Sequence, residues 1–395
     1  RQRRLVCREI SRRGIRKREN KREEAAFRFE DNFRSRICAV LRKDKQEHIL
    51  NIDDRLLITF KKTEITAMNE IPRLKRIDCV DLAGGMLDEL SGVLLGKRRE
   101  TVLLLCALLA GGHVIIEDIP GVGKTTLASA LSKSSGLTFG RVQFTPDVTA
   151  SDITGYNIFN RKTGDFEFRE GAVMCNILLA DEINRASPKT QSSLLEAMND
   201  GRVTVDGTAY LLPDPFMVIA TQNPLGFVGT YPLPEAQLDR FALRLSLGYP
   251  EKNQEIEIAK GKSHDKTLPT VRRRANREII AEMKRYADEV YCDDSIYEYI
   301  VDFVASTRNT KYLSLGASPR ASIMLGRLAK AYAFIDGREY VLPSDVGELL
   351  LPSLAHRVVL SREAAGSGIS ADEILSGIRD SLHMPVVSKR TVQSQ

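Results

Sequence analysis

From Asp81 to Gly112 the apolar residues recur at helical spacing, through Leu87, Leu90 and Leu94 and then Leu103 to Leu109. That period predicts helices. Gly111-Gly112 closes the stretch, and His113-Val114-Ile115-Ile116 predicts a short buried strand. Further β-rich or apolar runs follow at Phe139 to Thr145, Ile177 to Ala180, Phe216 to Thr221 and Ala242 to Tyr249, with helical patterns between several of them. Alternating strand and helix implies βαβ crossovers and a parallel sheet covered on both faces.

Two segments break this rhythm. Tyr156 to Phe168 turns at Thr163-Gly164-Asp165, and Arg202 to Tyr210 carries Asp206-Gly207 between alternating residues. Both read as hairpins, the second with a two-residue turn. Beyond Pro250 the chain is polar from Glu251 to Arg274, which reads as a linker, and helical periodicity resumes at Arg277 to Thr307, Arg320 to Ile335, Ser344 to Val358 and Ala371 to Leu382. The expected fold is α/β with an all-α domain behind it. The expected segments are 1–67, a basic leader; 68–255, a nucleotide-binding α/β domain; 256–275, a linker; 276–384, a helical lid; and 385–395, a tail.

The chain has 395 residues, 43% hydrophobic and 28% charged, which is the make-up of a soluble protein with a substantial core. No apolar run reaches the ~20 residues of a membrane span, and the first residues lack the apolar region of a secretory signal. Six cysteines (Cys7, Cys38, Cys79, Cys106, Cys175, Cys292) are scattered without a C-x-x-C pair. They read as reduced thiols in a cytoplasmic protein. Of the +6 net charge, residues 1–67 hold 20 basic against 11 acidic residues, or +9, and the remainder holds 38 against 41, or −3. The leader reads as a disordered or non-native extension, since Met68-Asn69-Glu70-Ile71-Pro72 resembles a start, as an arm for nucleic acid or an acidic surface, or as a regulatory segment.

Chemistry concentrates at three strand ends. Asp118-Ile119-Pro120-Gly121-Val122-Gly123-Lys124-Thr125 follows the first predicted strand and precedes a helical run that begins at Thr126. Glycines bring backbone N–H groups close to phosphate, Lys124 reaches the β and γ phosphates, and the Thr125 hydroxyl suits a magnesium ion. Asp118 stands where the strict phosphate-loop pattern has glycine, and the alternative reading of the loop alone is a chance turn. Asn176 to Ala180 then runs into Asp181-Glu182. At the end of a buried strand, Asp181 would orient magnesium and Glu182 would take a proton from the attacking water. The third run, Phe216 to Pro224, ends in Asn223, placed either to touch the γ-phosphate or simply to form an Asn-Pro turn.

Together with Gln143-Phe144-Thr145-Pro146-Asp147, Ser151 to Gly155, Asp181 to Ala186 and Leu233-Pro234-Glu235-Ala236-Gln237-Leu238-Asp239-Arg240-Phe241, these residues resemble the MoxR family of AAA+ ATPases. The likeness runs from about Asp81 to about Leu382. It implies a P-loop core with a helical lid, ATP and Mg2+ as cofactors, and sites shared between neighbours of a hexameric ring. By likeness Pro120, Gly121, Val122, Gly123, Lys124, Thr125, Thr126 and Asp181 bind nucleotide, with Thr125 and Asp181 on the metal. The expected catalytic set is Lys124, Glu182, Asn223, Arg240 and Arg320. Asn223 is then the sensor-one residue, Arg240 the arginine finger and Arg320 the sensor-two arginine, whose guanidinium would lie over the phosphates. Arg185 is the rival interface arginine. Val93 to Gly96 would lie near adenine, and the two hairpins would face the pore or upper surface.

The resemblance further implies remodelling of a protein client with a partner carrying a von Willebrand factor A domain. Other readings are a magnesium-chelatase-like motor, a nucleic-acid motor, which the −3 body disfavours, and an inactive scaffold, which the intact motif residues disfavour. ATP over GTP rests on family likeness alone.

Overall fold

The computed structural model describes residues 74–223, 230–260 and 268–385. The leader 1–67, Pro224, the linker residues 261–267 and tail residues 386–395 lie outside the described residues.

Helix α1 spans Arg76–Val93 and helix α2 Arg98–Leu109, and α2 buries every residue from Leu103 to Leu109. Strand β1 (His113–Glu117) follows, then α3 (Lys124–Ser135), β2 (Phe139–Gln143) and the short α4 (Ala150–Thr154). Strands β3 (Gly155–Phe159) and β4 (Phe166–Glu170) form the first hairpin, and β5 (Ile177–Asp181) leads through a 3-10 turn into α5 (Pro188–Asp200). Strands β6 (Arg202–Val205) and β7 (Thr208–Leu211) form the second hairpin, closed by Asp206 and Gly207, both at positive φ (50° and 82°). That is the left-handed pair a two-residue turn demands.

Strand β8 (Met217–Gln222), the one-turn α6 (Glu235–Leu238) and β9 (Phe241–Leu245) complete the sheet. Its order is β2-β5-β8-β1-β9, and every pairing is parallel. Alternate residues serve opposite faces, as the pleat requires. Ile177 and Leu179 join the core that contains α1, α2 and α3, whereas Leu178 and Ala180 join the one that contains Leu194 and Leu195 of α5. At about 2 kcal/mol for each fully buried aliphatic side chain, this double burial explains why the strands read as unbroken apolar runs.

Two sequence expectations change. The polar stretch after Pro250 contains a two-turn helix, α7 (Lys252–Ala259), whose N-terminus is closed by a reciprocal Glu251–Gln254 capping pair. The periodic run Arg277 to Thr307 is two helices, α8 (Arg277–Asp288) and α9 (Asp294–Arg308), because Asp293 caps a new start by accepting from Ser295 N. Strand β10 (Leu313–Leu315), α10 (Pro319–Ile335), α11 (Pro343–Leu354), β11 (Val359–Leu360), α12 (Arg362–Gly366) and α13 (Ala371–Ser381) follow. Phe303, Leu325, Phe334 and Leu349 of these helices share one continuous core with α1, α2 and one face of the sheet. No described helix is long and apolar enough to cross a membrane.

Candidate functional site

A cleft of about 400 Å³ opens along the C-terminal edge of the sheet. Its floor is the loop between β1 and α3. Gly121 and Gly123 sit at φ 86° and 96°, a region that a side chain disfavours. Helix α3 has no side-chain cap and no acid in its first turn, so its leading N–H groups and positive dipole end are directed at the cleft. Lys124 Nζ donates to the Asp118 carbonyl oxygen (2.6 Å). Burial pulls the ammonium below the ordinary lysine range, and the charges of Asp118, Asp181 and Glu182 oppose that shift.

Asp118 explains its own departure from glycine. Its carboxylate is buried, and Oδ2 accepts from Gly248 N (2.8 Å), from Leu247 N and from Ser246 Oγ (3.4 Å), while Oδ1 accepts from Ile119 N (3.1 Å). The loop is thereby anchored to the chain leaving β9, by hydrogen bonds worth about 1.5–3 kcal/mol each when one partner is charged.

Opposite the loop stand the acids at the end of β5. Thr221 Oγ1 donates to Asp181 Oδ1 (2.6 Å) and accepts from Glu182 N (2.9 Å), so one buried hydroxyl fixes both residues. Glu182 takes the left-handed conformation (φ 56°, ψ 48°), which costs a non-glycine residue about 1–2 kcal/mol and turns its side chain out of the strand line. Gln143 Nε2 (3.0 Å) and Arg185 Nη1 (2.8 Å) both donate to Glu182 Oε2, and Arg141 Nη2 pairs with Asp181 Oδ2 (2.8 Å).

The structure therefore brings Pro120, Gly121, Gly123, Lys124, Thr125, Thr126, Asp181, Glu182 and Asn223 to one cleft. The Val122 side chain packs on the core instead. Sequence reasoning missed Arg141, Gln143 and Ile258, which also line it. Arg141 and Gln143 alternate on β2, so period two would have put them on one face. Ile258 lay in the stretch read as linker. Val93 and Leu94 are buried in the core, and neither they nor Leu95 and Gly96 line the cleft.

Arg240 and Arg320 do not line it either. Arg240 Nη1 donates to the Leu195 carbonyl oxygen (2.5 Å), two turns down α5. Burial lowers its pKa, and the nearby charge of Arg320 lowers it further. Arg320 is exposed at the first turn of α10. The start of that helix is fixed here because the Ser318 hydroxyl donates to both oxygens of Asp239 (3.0 and 2.8 Å) rather than capping its own helix. Behind this surface Arg357, 1% exposed at its side chain, pairs with Asp239 (3.3 Å) and donates to the Phe241 carbonyl oxygen (2.7 Å).

A parallel sheet carrying a phosphate-type loop, a strand-end acid pair and a helical domain defines a P-loop ATPase of the AAA+ class. Residues 113–243 match the ATPase family associated with various cellular activities (AAA), and residues 305–378 match the AAA lid domain. The chain is 48% identical over 309 residues to the uncharacterised protein YeaC of Bacillus subtilis (strain 168), covering 78% of this chain and 97% of that protein. It is 36% identical over 309 residues to the chaperone MoxR1 of Mycobacterium tuberculosis, covering 76% of this chain and 81% of that one. An ATPase crystal structure from Cytophaga hutchinsonii superposes with a TM-score of 0.73 at 36% identity, over 82% of this chain and 99% of the other. The chain belongs to the MoxR family of AAA+ ATPases, and it is an ATP-hydrolysing enzyme.

Proposed function

We propose that the chain hydrolyses Mg-ATP in a ring to remodel or mature protein complexes, with each site completed by arginines of the adjacent subunit. The observation that carries this is the separation of charges. Lys124, Thr125, Asp181, Glu182 and Asn223 line one cleft, while Arg240 and Arg320 lie near each other outside it. Charge developing on a transferring phosphoryl group needs such cations. A neighbour presenting its Arg240 and Arg320 supplies them, and Arg320 then acts on the neighbour's nucleotide rather than on its own.

The donor set fits magnesium. The Thr125 hydroxyl and the Asp181 carboxylate are hard oxygen ligands at one cleft. Among the described residues no group of three His, Cys, Asp or Glu side chains forms a cage. Magnesium commonly takes one or two protein oxygens and draws the rest from phosphate and water. When bound, the ion neutralises phosphate charge. Glu182, its direction set by Gln143, Arg185 and Thr221, takes the proton of the attacking water, and Asn223 orients that water.

The two hairpins form the surface that would work on the client. Phe168 of one stacks on Tyr210 of the other (3.8 Å between ring centres), and Asn157 Nδ2 donates to Asp206 Oδ2 (2.8 Å), so the two hairpins are tied together. Phe166 is 72% and Leu211 80% exposed, apolar groups suited to gripping a protein segment. The von Willebrand factor A partner, a hexamer rather than another ring and ATP rather than GTP come from family likeness.

Steady-state hydrolysis measured across protein concentration tests this. Glu182→Gln should abolish turnover while nucleotide still binds, and Arg240→Ala should lower kcat by about 10³-fold. Turnover that is independent of concentration and survives Arg240→Ala would mean each subunit acts alone, and the shared-site mechanism would go.

A further inference from the structure

The geometry points to Arg244 as a positioning residue for hydrolysis, coupling the cleft to the final helix of the lid through the chain Asn223–Gln222–Glu117–Arg244–Asp372. This inference rests on the function proposed above and adds the route by which lid and site communicate.

Glu117 is the last residue of β1 and directly precedes Asp118. It faces Gln222 in the sheet register, and Gln222 Nε2 donates to Glu117 Oε1. The next residue after Gln222 is Asn223, which lines the cleft. Arg244 sits on the other side of β1, in register with Ile115. Its Nη1 reaches Glu117 Oε2 (3.5 Å), and its Nη2 reaches Asp372 Oδ1 (3.1 Å) and Oδ2 (3.3 Å). Asp372 lies in the first turn of α13, which packs on α9 and α11.

One guanidinium thus joins two carboxylates, one on the sheet and one on the lid. Arg244 and Glu117 are 29% and 23% exposed, shielded enough for the contact to outlast ordinary solvent screening, whereas Asp372 is 54% exposed. The strand that carries Arg244 also continues into Leu247 and Gly248, whose N–H groups hold Asp118. Asp118 in turn accepts Lys124 Nζ at its carbonyl. A shift of α13 against the sheet is therefore felt at two points of the cleft, the tip of β8 and the base of the phosphate loop. Removing Arg244 would leave Glu117 and Asp372 without the cation between them. Removing Asp372 cuts only the lid's end of the chain.

That asymmetry chooses the variant. Asp372 is exposed at the start of its helix, so Asp372→Ala should keep the fold, which circular dichroism and the unfolding midpoint check. In the full-length chain, Asp372→Ala should lower kcat about fivefold with KM for ATP within about twofold of wild type, the size expected for coupling between sites. Nucleotide should protect the amides of residues 371–381 from hydrogen exchange in the wild-type chain and no longer do so in Asp372→Ala, while residues 118–126 stay protected in both. Asp372→Glu should restore both readouts. Wild-type kcat with retained protection of 371–381 in Asp372→Ala would overturn the relay and leave the ATPase assignment standing. Failure of the wild-type chain to bind and hydrolyse ATP would overturn the function reading, and the relay with it.

Discussion

At the cleft, Asp118, Asp181 and Glu182 surround Lys124, and each carboxylate is held by hydrogen bonds from its own chain. At the junction of α6, β9 and α10 the guanidiniums cluster, with Arg357 paired to Asp239 and Arg320 close enough to act on both Arg240 and Arg357. Fixed acids suit the proposed mechanism, in which they would hold a metal and a water in one geometry. The guanidiniums are graded instead. Arg357 is buried and doubly bonded, Arg240 half-buried and Arg320 exposed, so the rear anchors the surface while the front is presented outward. The guanidiniums beside the cleft, Arg141 and Arg185, are paired with its acids, whereas Arg320 is exposed, and the shared site proposed above rests on that difference.

The largest expected effect is the loss of about 10³-fold in kcat for Arg240→Ala, measured with nucleotide affinity retained, since it separates the two regions directly. Next is Arg357→Ala. It removes the buried partner of Asp239 and the donor to Phe241, and should cost about 3–4 kcal/mol in urea unfolding. An unfolding midpoint close to wild type would show that the arginine surface does not depend on its rear anchor.

Acid should act on the same region. His356 lies behind it, its Nε2 bonded to the Phe241 carbonyl oxygen (2.9 Å), and burial with the charge of Arg357 pushes its pKa down to about 3. His113, whose Nδ1 accepts from Val218 N (3.0 Å), is pushed down by burial to about 4. Both folded values lie below the ordinary 6.5, so the unfolded chain takes up protons first as pH falls. Stability is full above pH 6.5 and declines toward pH 4, by about 2–3 kcal/mol from His113 alone. Unfolding midpoints at pH 7 and pH 4.5 measure this, and a flat profile would mean neither imidazole is held neutral. The smallest effect belongs to Asp118→Asn, which weakens four accepted hydrogen bonds without emptying the site. About 2 kcal/mol of stability and a several-fold rise in KM for ATP are expected, and an unchanged KM would show that the loop keeps its shape without that anchor.

Much of the cleft was legible in the chain because its parts are local. A phosphate loop is a run of consecutive residues between a strand and a helix, and Asp181-Glu182 closes a run of apolar residues. The β6–β7 hairpin was legible for the same reason, since Asp206-Gly207 carries its own turn geometry. Gln143 and Arg141 were not legible as site residues, because nothing in β2 says that its neighbour in the sheet is β5. Ile258 was hidden by its polar surroundings, and the break between α8 and α9 by a cap that reads as one more acid in a charged stretch.

The sequence by itself determined the α/β class, the order of strand and helix, and most of the residue types that line the cleft, because periodicity and short motifs act within a few residues. Only the tertiary structure decided that Arg240 and Arg320 stand together away from the cleft, that Asp118 anchors the loop to the chain after β9, and that Arg244 reaches from the sheet to Asp372. Those pairings join residues far apart in the chain, and their geometry follows from strand order and helix packing, which no local pattern records.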